Sequence, residues 1–174
     1  VLELPCAFAV REAENFALGG VSLLHSLGFV THLSFGCETD NLPFLHAVAD
    51  LLEQPDEIFT LALRNALAQG RSYAAAQAEA MVAGLCANGS ADLLAPKGSH
   101  QAADALHAAL ASPNNILGVC YLRALKRLQS NILPLPVRRE GDFHATALTA
   151  TGYPSASATR KAYLAGDLGA AEAA

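Results

Sequence analysis

The sequence predicts an α/β fold, rich in helix, with a mostly parallel sheet. Three observations lead there. Short strand-like runs at Val1 to Leu4, Val30 to Phe35 and Ile132 to Val137 are separated by stretches with apolar residues at helical spacing. Strands that alternate with helices pair in parallel. Alanine, the best helix former, is abundant throughout. The 174 residues are 52% hydrophobic and only 16% charged, enough to bury a core within one domain and too apolar for disorder.

The elements follow in order. Val1 to Leu4 is strand-like, and Pro5 stops the ladder. Ala9 to Leu27 carries Phe16, Gly20, Leu23, Leu24 and Leu27 at helical spacing, with Gly28 as a C-terminal stop. Val30 to Phe35 alternates as a strand, and Gly36 ends it. Asn41 caps a helix from Leu42 to about Glu53. Pro55-Asp56-Glu57 opens the next, which ends at Gln69-Gly70. Ser72 to Cys86 is an Ala-rich helix broken by Asn88-Gly89-Ser90. Ala91 to Gln101, with Pro96 and Gly98, reads as a loop, and Ala102 to Ala111 as a helix. Pro113 to about Ser130 is a longer helix with Ile116, Leu117, Cys120, Leu125 and Leu128 on its apolar side. Ile132 to Val137 contains Pro134 and Pro136, which confine it to a sheet edge or end. Glu140 to Pro154 reads as loop and Ser155 to Leu164 as a helix. The Ala-rich tail from Gly166 defines no further domain.

Composition narrows the function classes. The net charge of −5 removes a chain-wide basic field for DNA, so nucleic acid contact needs a local patch. Arg123, Lys126, Arg127, Arg138 and Arg139 supply such a cluster. Cys6, Cys37, Cys86 and Cys120 are widely spaced, which argues against a zinc site and fits a reducing, cytoplasmic compartment. Cys6 and Cys120 sit among apolar residues and are expected to be buried. No apolar run reaches membrane-spanning length, and no secretory pattern is visible. A start in mid-strand without Met reads as a piece of a longer protein.

Several residues suit anion or nucleotide contact. Gly36 lies where ligands bind in α/β sheets, at a strand's carboxyl end, although alone it reads first as a turn glycine. Glu38 reads as a solvated acid on the same loop. Asn114 and Asn115 can cap a helix or reach a ligand with an amide that both donates and accepts. Arg139 can pair bidentately with phosphate, with Arg138 as the looser neighbour. The run Ser155-Ala156-Ser157-Ala158-Thr159-Arg160 suits a helix start that receives anions, and equally a Ser cap with a surface Arg. Lys126 and Arg127 are candidates for RNA phosphates or for a solvated helix face, and His144 is a candidate substrate contact.

Taken together, these stretches resemble one family. They are Glu3-Leu4-Pro5, Ala17-Leu18-Gly19-Gly20-Val21-Ser22-Leu23-Leu24, Ser34-Phe35-Gly36-Cys37-Glu38, Ser112-Pro113-Asn114-Asn115-Ile116-Leu117-Gly118, Arg139 with Phe143-His144, and Ser155 to Ala162. In this order they are similar to the tRNA(Met) cytidine acetate ligases of the HxGH nucleotidyltransferase superfamily, over nearly the whole chain. The resemblance implies a Rossmann-like nucleotidyltransferase core, with residues 1–174 as its central and C-terminal part. It implies ATP contacts at Gly36, Asn114, Arg139, Ser155, Ser157 and Arg160, the last three through a helix-start signature in which Thr159 replaces the usual Ile. Further candidates for substrate or tRNA contact are His144, Arg138, Lys126 and Arg127, and the sequence itself shows no metal site. None of the six histidines forms an HxGH, so the catalytic pair is expected outside these residues.

The implied reaction activates acetate with ATP, handled with Mg²⁺, as acetyl-adenylate, then acetylates the wobble cytidine of elongator tRNA(Met). Acetate and tRNA(Met) are the expected partners, with no membrane and no DNA. Residues 1–174 alone are expected to be a poor enzyme. Two alternatives stay open: a nucleotidyltransferase acting on a small phosphorylated substrate, and an inactive nucleotide- or RNA-binding module.

Overall fold

The computed structural model describes residues 1–94, 100–139 and 156–166, with side chains from 104 and from 158 in the last two stretches. Residues Val1–Arg138 form one compact unit, and the chain from Arg139 onward forms a second.

The first unit is helix-rich α/β. Its helices are α1 (Cys6–Ala9), α2 (Ala13–Ser26), α3 (Leu42–Glu53), α4 (Glu57–Ala68), α5 (Tyr73–Ala87), α6 (His100–Ala111) and α7 (Pro113–Arg127). The strands are β1 (His32–Cys37) and β2 (Leu133–Arg138), which pair in parallel, as the alternation of elements predicts.

Local chemistry accounts for most boundaries. Asn41, Asp56 and Ser72 each accept from the backbone N–H three residues on, at 3.0, 2.7 and 3.3 Å, and so cap α3, α4 and α5. Gln129 takes a left-handed conformation (φ 48°), and Ser130 N–H closes back on Leu125 C=O at 3.0 Å. This stops α7 at Arg127, short of the expected Ser130.

Pro134 and Pro136 fit because of register. Leu133 N–H donates to Thr31 C=O at 2.9 Å, so with a two-residue period Leu135 and Val137 face β1 in the same way. The two proline nitrogens face away, where no ladder bond is lost. Among the described residues the sheet has two strands.

Four expectations are corrected. Val1 to Leu4 is not a strand: no described residue pairs with it, and Val1 and Leu2 are exposed. The helix expected over Ala9 to Leu27 begins only at Ala13, as α2, and a separate short helix, α1, precedes it. The chain turns after Ala9 so that the Phe8 ring lies on Gly19, where a Cβ would meet it at 2.4 Å. β1 runs two residues later than expected, so Gly36 lies inside the strand, opposite Val137, instead of ending it. The loop expected over Ala91 to Gln101 contains a 3-10 turn at Ser90–Leu93, and α6 already begins at His100; residues 95–99 lie outside the described set.

The core lies between the sheet and α2, α3, α5 and α7. Phe35 and Cys37 enter it from β1 and meet Val21, Phe44, Leu45, Leu122 and Leu125. Two glycines set helix and sheet distances. A Cβ at Gly84 of α5 would meet Leu51 of α3 at 2.8 Å, and one at Gly118 of α7 would meet the Phe35 ring at 2.8 Å. Phe35 also packs on Tyr121, ring centres 5.5 Å apart.

In the second unit, α8 (Ala156–Leu164) carries one buried side chain among those described, Ala158, and Gly166 (φ +80°) follows its end.

Candidate functional site

The carboxyl end of β1 and the start of α7 are joined by side chains. After Cys37 the backbone leaves the sheet, and its next two N–H groups have no ladder partner. Asn115, 2% exposed, supplies the acceptor: its Oδ1 takes the N–H of Glu38 at 3.0 Å and of Thr39 at 3.1 Å. Its Nδ2 donates to the carbonyl of Ala109 at 3.0 Å, so one buried amide joins β1, α6 and α7.

Glu38 turns back over the helix start. Asn114 Nδ2 donates to its Oε1 at 2.6 Å, and the Ser112 hydroxyl donates to its Oε2. Burial disfavours the charged carboxyl, but the hydrogen bonds from Ser112 and Asn114, with main-chain donors at Glu38 and Asn115, outweigh it and hold Glu38 below the usual carboxylate range. Glu38 is therefore a bound carboxylate, not the solvated acid its sequence position suggests. Neither Asn caps α7. Ser112 occupies the cap position, and its hydroxyl serves Glu38 instead of the helix.

The Ser112–Gly118 run thus divides into roles. Pro113 opens the helix, Asn115 is consumed in the loop clamp, and Gly118 admits Phe35. Asn114, half-buried, keeps its Oδ1 without a donor among the described residues.

Gly36 is exposed, two residues before the clamped carboxylate, and a side chain there would stand on the outer face of β1. Arg138 is exposed, opposite Cys37 in register. Arg139, also exposed, follows directly and begins the second unit. Arg160 is exposed on α8. Ser157 lies in α8 with its side chain outside the described set, while Ser155 and His144 lie outside it entirely.

The cationic cluster on α7 is committed internally. Arg123 Nε donates to Glu53 at 2.6 Å, and its two Nη atoms grip Glu14 at 3.0 and 3.2 Å. Arg127 binds the same two carboxylates, Glu53 through Nε at 3.0 Å and Glu14 through Nη1 at 2.7 Å. Lys126 meets Asp50 at 2.7 Å. The hydrogen bond from Arg127 holds Glu53 below the usual carboxylate range against its burial, with Arg123 adding to the effect. These residues tie α7 to α2 and α3, so their evident work is structural.

The cysteines divide by burial. Cys37 and Cys120 are the buried thiols, with pKa raised by burial, whereas Cys6 is exposed, against expectation. No helix among the described residues is long and apolar enough to cross a membrane.

Against known proteins, residues 1–172 match the family model described as HIGH Nucleotidyl Transferase. The chain belongs to that family. It is 35% identical over 160 residues to the tRNA(Met) cytidine acetate ligase of Clostridium kluyveri, covering 92% of this chain and 37% of the relative. The ligase of Caldanaerobacter subterraneus is 35% identical over 163 residues, covering 93% and 36%. Among solved structures, apo Thermotoga maritima TmcAL superposes with a TM-score of 0.78 at 28% identity, over 99% of this chain and 38% of that one. The same protein bound with alpha-thio ATP gives 0.73 at 28% identity, over 99% and 36%. The chain thus spans little more than a third of the relatives it matches.

Proposed function

We propose that this chain is the central and C-terminal part of the nucleotidyltransferase domain of an ATP-dependent tRNA(Met) cytidine acetate ligase. The observation that carries the reading is the tie between the β1 end and the Asn114 amide through Glu38. It places a half-buried amide at a helix start, beside the carboxyl end of a strand, in a chain similar to a protein solved with an ATP analogue. In this reading Gly36 lets the nucleotide approach the backbone, Asn114 contacts the base or ribose, and Arg139, Ser155, Ser157 and Arg160 hold phosphates. The roles of the last four, and of His144 and Arg138 toward substrate or tRNA, rest on the sequence match; Lys126 and Arg127, paired with Asp50, Glu53 and Glu14, are candidates for tRNA by charge alone.

The chemistry is adenylate formation. An acetate oxygen attacks the α-phosphorus of ATP, the bond to the β-phosphate bridging oxygen breaks, and pyrophosphate leaves. The acetyl group of the mixed anhydride then passes to the N4 amine of the wobble cytidine, and AMP leaves with the carboxyl oxygen. Fixed cationic groups and helix-start N–H donors favour the phosphate charge that develops. Mg²⁺ is expected to enter with ATP. The catalytic histidine pair is supplied from outside residues 1–174, and a cytoplasmic location belongs to the same proposal.

The test is acetylation of tRNA(Met) with ATP and acetate, read as N4-acetylcytidine by mass spectrometry. Residues 1–174 alone should give weak or no product, and joining an upstream HxGH segment should restore it. Robust product from residues 1–174 alone would refute the assignment of the catalytic pair; none from the joined protein would refute the ligase reading.

A further inference from the structure

We infer that Glu38 is a positioning residue that fixes which face of the Asn114 amide meets the nucleotide. The inference rests on the nucleotide reading above and deepens it.

A carboxylate only accepts hydrogen bonds, so the amide atom facing Glu38 Oε1 at 2.6 Å is Nδ2. Flipping Asn114 would bring its carbonyl oxygen against a carboxylate oxygen. Glu38 cannot swing away to permit the flip. Its other oxygen is held by Ser112, and its own N–H is held by the buried Asn115. The Oδ1 of Asn114 therefore points away from Glu38 in one fixed sense. It is the acceptor that no described residue satisfies.

The ligand group opposite it must be a donor. An ATP molecule offers three, the exocyclic amine of adenine and the 2′- and 3′-hydroxyls of ribose. Guanine presents a carbonyl in place of that amine, and a 2′-deoxyribose lacks one hydroxyl. Glu38 thus converts an amide that is ambivalent by itself into a selector for donor-bearing nucleotides. Alone, the sequence gives no hint of this, because Glu38 and Asn114 are 76 positions apart.

The experiment titrates ATP, GTP, 2′-dATP and 3′-dATP calorimetrically into residues 1–174, as parent, Glu38→Gln, and the exchange Glu38→Gln with Asn114→Asp. Thermal melts are recorded without nucleotide. The parent should prefer ATP over one analogue: GTP if the amine is the donor, 2′-dATP or 3′-dATP if the matching hydroxyl is; equal binding of all four overturns the inference. Glu38→Gln accepts or donates, frees the flip, and should cut that preference about five- to tenfold. The exchange variant keeps one donor and one acceptor across the pair and again turns an acceptor outward, so the preference should return. If Glu38→Gln weakens all four nucleotides equally, in step with a lower melting temperature, its role is structural and the inference is overturned. An unchanged preference in Glu38→Gln overturns it as well and leaves the nucleotide site standing. A parent that binds no nucleotide removes the site itself, and the inference with it.

Discussion

Asn115 accepts the backbone N–H of Glu38 at 3.0 Å across 77 positions of sequence, and this bond sets the exit of the chain from β1. The same oxygen takes Thr39 N–H, so one buried atom satisfies two consecutive donors. Asn115→Ala should leave both unpaired and destabilise the fold by about 2–4 kcal/mol, measured by urea denaturation. A loss within experimental error would mean that water or a rearranged loop takes over the acceptor.

Gly118 and Phe35 test the packing of α7 on the sheet. A Cβ at Gly118 would lie 2.8 Å from the Phe35 ring, which is itself held against Tyr121. Gly118→Ala gains helix propensity, yet it should cost about 1–3 kcal/mol through the clash. A higher melting temperature for this variant would contradict the close approach.

The Arg123–Glu53 pair carries the pH prediction. Glu53 ionises more readily in the folded state than its ordinary value of 4.5, through Arg127 first and Arg123 after burial is offset. Its contribution is fully present above that ordinary value and is lost as pH falls through the lower folded one. Glu38 behaves in the same sense. Stability should therefore fall steeply below about pH 4.5. Arg123→Ala, which removes a largely buried guanidinium from two carboxylates, should cost about 2 kcal/mol at neutral pH. Acid denaturation curves of parent and Arg123→Ala check both points.

Thiol labelling separates the cysteines. Cys6 and Cys86 are exposed, while Cys37 and Cys120 are buried with raised pKa values. A disulfide reagent at neutral pH should modify two thiols rapidly in the native chain and all four in denaturant. Fast native labelling of Cys37 would show that the end of β1 opens readily.

Much of this architecture is legible in the sequence, because caps and breakers act locally. Asn41, Asp56 and Ser72 place three helix starts, and Pro134 with Pro136 marks an edge strand by missing N–H groups alone. Position within the site is another matter. Glu38 reads as a solvated acid and the Asn pair as a cap or a ligand contact, since the partners they have in the fold lie more than 70 positions away. Arg123 and Arg127 read as a basic face because the carboxylates that claim them, Glu14 and Glu53, sit on other helices. Apolar spacing also leaves the break between α1 and α2 invisible: the Phe8 ring lies on Gly19, 11 positions along the chain.

ATP contact by Asn114 and Arg139 is a proposal, and equilibrium binding of ATP to Asn114→Ala and Arg139→Ala checks it. Arg139→Ala removes a charge-assisted contact and should weaken binding about tenfold or more. Asn114→Ala should also weaken it, with a thermal melt recorded beside each titration to separate ligand contact from stability. If both variants bind ATP with the affinity of the parent, the nucleotide site is wrongly placed.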